Sequence, residues 1–239
     1  MRRETVLQTH DLSMRFGGVV ANDRVNFALK AGELRCLIGP NGAGKSTFFK
    51  CLTGQLKPSE GRVLIRDLDT TGAEPHAVAG LGVGIKTQVP NLFDALSVEE
   101  NIWLAARRWL DAPRAKAATA ETVERVRLGD IRRRPVGTLA HGQRQWVELG
   151  MVVAARPWLV LLDEPAAGMT EEETAFTADI IREINRTASL IIVEHDMAFV
   201  RALADIVTVF HRGAILIEGS MDAVSADPTV REVYLGHKH

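Results

Sequence analysis

The chain has only two cysteines among its 239 residues, no surplus of either charge and no long apolar run. Each shortage closes off a class of function. A formal charge of −1 excludes a generally basic nucleic-acid binder. The longest basic cluster, Arg132, Arg133 and Arg134, is too short to change that and reads as a solvated helix end. No window approaches the roughly 20 uninterrupted apolar residues of a membrane-spanning helix, so work at a membrane would go through partners. Residues 1–10 carry no apolar stretch that could serve as a secretion signal. Cys36 falls in an expected strand and Cys51 in an expected helix. Both read as reduced core residues of a cytosolic protein, not as a disulfide. What is present is an apolar share of 46%, ample for a globular core. The length allows one large domain, or one domain with an inserted subdomain.

Residues 34–54 organise the rest. Their middle, residues 39–46, reads G-x-x-x-x-G-K-S. Glycines let the backbone take positive φ and curl, so that successive N–H groups point into one concavity. The apolar run Leu34, Cys36, Leu37 and Ile38 reads as a buried strand entering the curl. Lys45 onward reads as a helix leaving it, whose N-terminus also favours an anion. Lys45 is expected to reach the β- and γ-phosphates of a nucleotide, and the Ser46 hydroxyl to ligate Mg²⁺.

Residues 4–9 alternate polar and apolar as an exposed strand does, and 25–29 resemble a second strand. Between them Phe16 stands beside Gly17 and Gly18. It is either a ring presented on a turn to a nucleobase or a core residue at a strand end. Residues 56–61 read as a turn cluster and 62–65 as a further strand. Residues 82–85 lead to Gln88, with Pro90 expected to end the strand. An amide at a strand tip can accept from a metal-bound water and donate to a phosphate oxygen; otherwise Gln88 is a surface residue. Ser97 and Glu100 have capping-box spacing, and 97–128 is rich in helix formers, with Pro113 expected to divide it into two helices. Trp103 and Trp109 read as core or interface aromatics. After residues 139–143, Trp146, Leu149 and Val153 fall at helical spacing. Gly142 then opens a helix whose N-terminus could meet an anion, or is an ordinary turn glycine. Residues 158–162 form an apolar strand ending in Asp163 and Glu164, which are placed to hold Mg²⁺ and to poise an attacking water. Thr170 and Glu173 form another capping box, opening a helix to about residue 187. Residues 190–193 deliver Glu194, His195 and Asp196 to the same edge. His195 can hydrogen-bond a γ-phosphate oxygen or the attacking water. Residues 206–210 and 214–218 read as a terminal hairpin.

In this order and spacing, the phosphate loop (39–47), Gln88, the stretch 139–143, the pair Asp163 and Glu164, and His195 resemble the ATP-binding subunits of ABC transporters, over essentially the whole chain. Within that family, residues 35–40, 141–151, 164–170, 194–200 and 233–236 resemble the branched-chain amino-acid and amide uptake branch, most closely its urea-transporter ATPase. The resemblance implies an α/β fold: a P-loop NTPase (RecA-like) core with an antiparallel β subdomain and an inserted α-helical subdomain. It implies a single domain over 1–239, with 1–88 and 156–239 forming the core and 89–155 the helical part. It also implies nucleotide contacts from Phe16, Gly39, Asn41, Gly42, Ala43, Gly44, Lys45, Ser46, Thr47 and Gln88, and in trans from Ala140, Gly142 and Gln143. Ser46, Gln88 and Asp163 would serve Mg²⁺, and Glu164 and His195 would be catalytic.

The implied function is ATP hydrolysis energising an importer of urea or short amides, with branched-chain amino acids the runner-up. A more remote alternative is a soluble, non-transport P-loop ATPase. The implied partners are a second ATP-binding subunit, identical or not, two transmembrane permease subunits and, indirectly, an extracytoplasmic substrate-binding protein. Nucleic acid is not among them. The place of work would be peripheral, at the cytoplasmic face of the inner membrane. Two positions depart from the family pattern. Ala140 and His141 stand where Ser-Gly or Ser-His is usual, which removes one hydroxyl donor to the partner's γ-phosphate. Thr87 stands where an aromatic residue commonly precedes the glutamine.

Overall fold

The structure is a computed structural model that describes residues 4–88 and 91–235. Pro90 and Gly236 lie outside the described residues. In chain order the elements are β1 (Thr5–Phe16), β2 (Val19–Lys30), β3 (Leu34–Ile38), α1 (Lys45–Leu52), β4 (Glu60–Ile65), β5 (Leu68–Asp69) and α2 (Pro75–Gly80). Then follow β6 (Val83–Lys86), α3 (Val98–Arg107), α4 (Ala112–Arg125), α5 (His141–Val153), β7 (Leu159–Asp163) and α6 (Glu171–Asn185). The chain closes with β8 (Ser189–Val193), α7 (Met197–Leu203), β9 (Ile206–His211), β10 (Ala214–Gly219), α8 (Met221–Ala226) and α9 (Pro228–Leu235). The chain divides into two compact units, residues 1–81 with 189–239, and residues 82–188.

The first unit contains an antiparallel sheet in the order β2-β1-β4-β5. β1 and β2 form a hairpin closed at Phe16 and Val19. Both strands run to 12 residues, longer than the alternation in the sequence suggests. The reason is a series of register shifts, with Asp11 and Arg24 each at φ 45°, which break the two-residue period mid-strand. The other strands of this unit lie in the order β10-β9-β3-β8. β3 is parallel to both β8 and β9, and β10 turns back antiparallel on β9. Every residue of β3 and β8 is buried, as the continuous apolar runs require of parallel strands covered on both faces.

Arg35 is the charged exception in β3. Its Nε lies 2.5 Å from Glu33 Oε1, and its Nη1 donates to Thr208 Oγ1 at 2.9 Å and to Glu218 Oε1 at 2.5 Å. The guanidinium also sits 5.1 Å from the centre of the Phe27 ring. A charge this deep is tolerated only with such partners. Phe48 bridges Phe27 and Phe210 with ring centres 5.6 and 5.2 Å apart. Cys36 and Cys51 are free thiols buried in this core, as expected.

In the second unit β6 and β7 are parallel neighbours. Ser97 caps α3 through a complete capping box with Glu100, and Thr170 caps α6 in the same way with Glu173. Three acids in the first turn of α6 favour its N-terminus further. Pro113 does not divide the helical stretch as expected. The break falls at 108–111, where Asp111 caps α4 by accepting from Arg114 N–H, and Pro113 sits inside the first turn of the new helix. Proline is at home there because a first-turn N–H has no intrahelical partner. Trp103 and Trp109 are 37% and 45% exposed, each with an arginine over its ring, so neither is a core residue. Leu149 and Val153 are buried, while Trp146 is half-buried against Phe176 and donates from Nε1 to Thr177 Oγ1 at 2.9 Å. Among the described residues no helix is long and apolar enough to cross a membrane.

Candidate functional site

The first unit carries the phosphate-type loop. β3 ends at Ile38, the chain curls through residues 39–44, and α1 begins at Lys45. Gly39, Gly42 and Gly44 all have positive φ, at 147°, 77° and 102°. Two of these glycines are also forced by space. A Cβ on Gly39 would lie 2.3 Å from the Phe210 carbonyl oxygen, and one on Gly44 would lie 2.4 Å from that of Ala21. The loop is gripped from outside. Asn22 Nδ2 donates to the Gly44 carbonyl at 3.1 Å, and Gly213 N–H donates to the Ala43 carbonyl at 2.9 Å.

Lys45 is 8% exposed, and its Nζ donates to the carbonyls of Gly39 at 2.5 Å and Pro40 at 3.1 Å. The ammonium thus stands inside its own loop, where the negative oxygens of a phosphate could take over these contacts as charge-assisted bonds. Asn41, Gly42 and Ser46 are exposed, Thr47 is half-buried and Ala43 is buried. Phe16 is 47% exposed at the tip of the β1–β2 hairpin, which excludes the core reading and leaves a presented ring.

β8 runs parallel to β3 with Leu37 opposite Val193, so His195 leaves the same sheet edge as the phosphate loop. Its ring is exposed. Its backbone N–H donates to Glu194 Oε2 at 3.1 Å, and Asp196 caps α7 by accepting from Ala198 and Phe199. These two contacts set the direction in which the chain turns after the strand. In the same unit, Tyr234 of α9 stands close to Gly39; burial pushes its phenol up to about 12, opposed by the Gly39 backbone.

The second unit carries the acids. Lys86 pairs with Leu162 across β6 and β7, so Gln88 and the pair Asp163 and Glu164 leave the same edge of that parallel pair. Asp163 is 6% exposed. Glu164 is half-buried at φ 47°, a left-handed conformation that a non-glycine residue adopts at a cost of about 1 kcal/mol or more. Gln88 Nε2 donates to Glu164 Oε2 at 3.4 Å.

The loop after Glu164 meets the start of α5. His141 Nε2 lies 2.9 Å from the Ala167 carbonyl, which can only accept, so the proton is on Nε2. Ala140 has N-cap geometry, φ −64° and ψ 160°, but no side chain to cap with. Only the return half of a capping box is made, from Ala140 N–H to Gln143 Oε1 at 3.2 Å. Gly142 is buried, because the Glu173 carboxylate lies where a Cβ would be, 2.4 Å away. The glycine therefore has a local reason as well as the one the motif suggests.

Within the first unit the structure brings the phosphate loop and His195 to one edge. Within the second it joins Gln88 to Glu164 and His141 to the segment behind Glu164. Among the described residues no three or more His, Cys, Asp or Glu side chains come together as a metal cluster. Sequence reasoning missed Asn22, Lys86 and Glu148. Asn22 could have been flagged as a polar residue due to be buried on the inner face of a strand; the other two show only through packing.

A family profile described as "ABC transporter" matches residues 22–167. A second, described as "Branched-chain amino acid ATP-binding cassette transporter", matches residues 215–239. The chain is 33% identical to the high-affinity branched-chain amino acid transport ATP-binding protein LivG of Escherichia coli strain K12, covering 98% of each. It is 32% identical to the corresponding protein BraF of Pseudomonas aeruginosa, covering 97% of this chain and 98% of the relative. The crystal structure of the ADP conformation of MJ1267, an ATP-binding cassette of an ABC transporter, superposes with a TM-score of 0.87 at 27% identity, covering 98% of this chain and all of that one.

Proposed function

Since the chain belongs to the ABC transporter family and is one of its ATP hydrolases, we propose that it is the energising subunit of an importer for branched-chain amino acids. The observation that carries this reading is the match of residues 215–239 to a profile described by that substrate class. The relatives LivG and BraF support it as well. The sequence motifs alone favoured urea or short amides; these relatives speak for the runner-up instead.

ATP would sit with its phosphates in the curl of Gly39, Asn41, Gly42, Ala43, Gly44, Lys45, Ser46 and Thr47, and its base against Phe16. The positive-φ glycines and the buried ammonium of Lys45 suit a polyphosphate. Ser46, Asp163 and Gln88 are hard oxygen donors of the kind Mg²⁺ takes together with phosphate oxygens. Bound there, Mg²⁺ would neutralise charge on the β- and γ-phosphates. Glu164 would accept the proton of the attacking water, and His195 would hydrogen-bond the γ-phosphate or that water. Ala140, Gly142 and Gln143 would act on the ATP of a second subunit, identical or different, because one chain carries one copy of each motif. The catalytic core (1–88 and 156–239) and the helical part (89–155) would then work as one ATPase domain. Two transmembrane permeases would hold the pair at the cytoplasmic face of the inner membrane, with a substrate-binding protein outside.

The reading is tested by purifying the chain with its membrane partners and reconstituting the complex in liposomes. ATP hydrolysis should rise with a leucine-loaded binding protein. Stimulation by urea and not by leucine would return the assignment to the amide class. Recovery with ribosomes or DNA, and with no permease, would sink the transport reading.

A further inference from the structure

In the second unit, one carboxylate grips the chain on both sides of Gln88. Glu148 lies on α5 and is 6% exposed. Its Oε1 accepts the backbone N–H of Asn91 at 2.7 Å, and its Oε2 lies 3.3 Å from Lys86 Nζ. Lys86 is the last residue of β6 and is itself 3% exposed. The two contacts therefore fall two residues before Gln88 and three after it. Gln88 in turn donates to Glu164.

Packing does not call for this arrangement. Two buried charges are expensive to desolvate, and an apolar pair of similar volume commonly does as well or better. A charge pair combined with a directed N–H acceptor supplies position, which an apolar pair does not. It fixes the end of β6 and the backbone at Asn91 to the same atom group on α5. The helix concerned is the one that opens with Ala140, Gly142 and Gln143.

We propose that Glu148 is a positioning residue for ATP hydrolysis. It sets where Gln88 stands by holding the chain on either side of it to α5. The proposal rests on the reading that Gln88 and Glu164 work on ATP, and it deepens that reading.

Two measurements on the full chain test it. The first is amide hydrogen exchange over residues 86–93. Glu148→Ala removes the acceptor of Asn91 N–H and the partner of Lys86, and exchange there should rise about tenfold, the loss of one charged hydrogen bond. Exchange in α6 should not change. Glu148→Gln keeps an acceptor for Asn91 and should restore most of the protection. The second is steady-state ATPase kinetics. Glu148→Ala should lower kcat about tenfold with KM for ATP unchanged, because the phosphate loop is not touched. In a Gln88→Ala background it should cost nothing more, since the two residues then act through one position. A merely destabilising substitution would lower activity equally in both backgrounds.

Unchanged exchange over 86–93, or a full additional kcat loss in the Gln88→Ala background, overturns the proposal. Wild-type turnover in Gln88→Ala alone would instead reject the role given to Gln88, and the exchange result would still decide whether Glu148 positions that stretch. Should Glu148→Ala not fold, the double variant Lys86→Met with Glu148→Leu removes both charges together and carries the same expectation for Asn91.

Discussion

Gln88 Nε2 stands 3.4 Å from Glu164 Oε2, and the two residues reach each other from adjacent parallel strands. The amide donates and the carboxylate accepts, so Glu164 is aimed by a neighbour. The left-handed backbone at Glu164 turns the side chain out of the strand direction. A general base needs this combination of charge and fixed aim. Glu164→Gln keeps the shape and removes the proposed base. It is expected to bind ATP as well as the wild type, lose about 10²–10⁴-fold in kcat, and accumulate as an ATP-bound dimer. Single-turnover hydrolysis and size-exclusion chromatography with ATP check both parts. Wild-type hydrolysis would mean that another group takes the proton.

Ala140→Ser is expected to act twice. The position already has N-cap geometry, so the serine oxygen can accept from the first turn of α5 and stabilise the helix by about 1 kcal/mol. Its hydroxyl also adds one donor for a phosphate from a second subunit. At 0.5–1.5 kcal/mol for a neutral hydrogen bond, the ATP-driven dimer should tighten roughly 2- to 12-fold. Analytical ultracentrifugation in a Glu164→Gln background reads this directly. A higher melting temperature without a tighter dimer would show that the serine only caps its own helix.

These expectations were largely legible in the sequence because the motifs are local. A strand, a glycine curl and a helix follow one another over 34–52, and Ser97 and Thr170 announce their helices by spacing alone. Three kinds of feature were not. The bulges near Asp11 and Arg24 hid the full length of β1 and β2 by breaking the alternation that marks a strand. Short helices such as α2 and α7 to α9 have too few turns to show a period. Residues that act by long-range contact left no local trace: Glu148 reads as one more polar position on an amphipathic helix, yet it is buried against Lys86 and Asn91. Pro113 misled for a different reason, since the same residue breaks a helix from inside and starts one from its first turn.

Tyr234 offers a clean titration because it is the single tyrosine of the chain. Burial holds its phenol up to about 12, against about 10 in an unfolded chain. The folded state therefore keeps the proton that the unfolded state gives up. Its contribution to stability is complete below about pH 10 and is lost as the pH rises toward 12. Phenolate absorbance in the folded protein should rise near pH 12, and in urea near pH 10. A midpoint near 10 in the folded protein would place the hydroxyl in water rather than in the buried site.

Lys45→Ala should weaken ATP binding, but the loop geometry adds a condition to that expectation. Lys45 Nζ already serves the carbonyls of Gly39 and Pro40, so its removal costs the protein alone as well as the complex. Hydrogen bonds to a charged group contribute about 1.5–3 kcal/mol. The variant should therefore melt at a lower temperature with no nucleotide present. Lost affinity measured by calorimetry would then mix two effects, a loosened loop and a missing charge. Lys45→Arg separates them, since it restores a cation that can reach the same carbonyls while presenting a planar fork to a phosphate. If the charge itself binds the phosphates, Lys45→Arg should recover most of the melting temperature and only part of the affinity. The rise in melting temperature on adding ATP follows the same order, because ligand stabilisation scales with the logarithm of concentration over Kd. It should be largest in the wild type, smaller in Lys45→Arg and smallest in Lys45→Ala. Equal ATP-induced shifts in all three proteins would reject a phosphate contact from Lys45 and leave it a structural role in holding the curl closed.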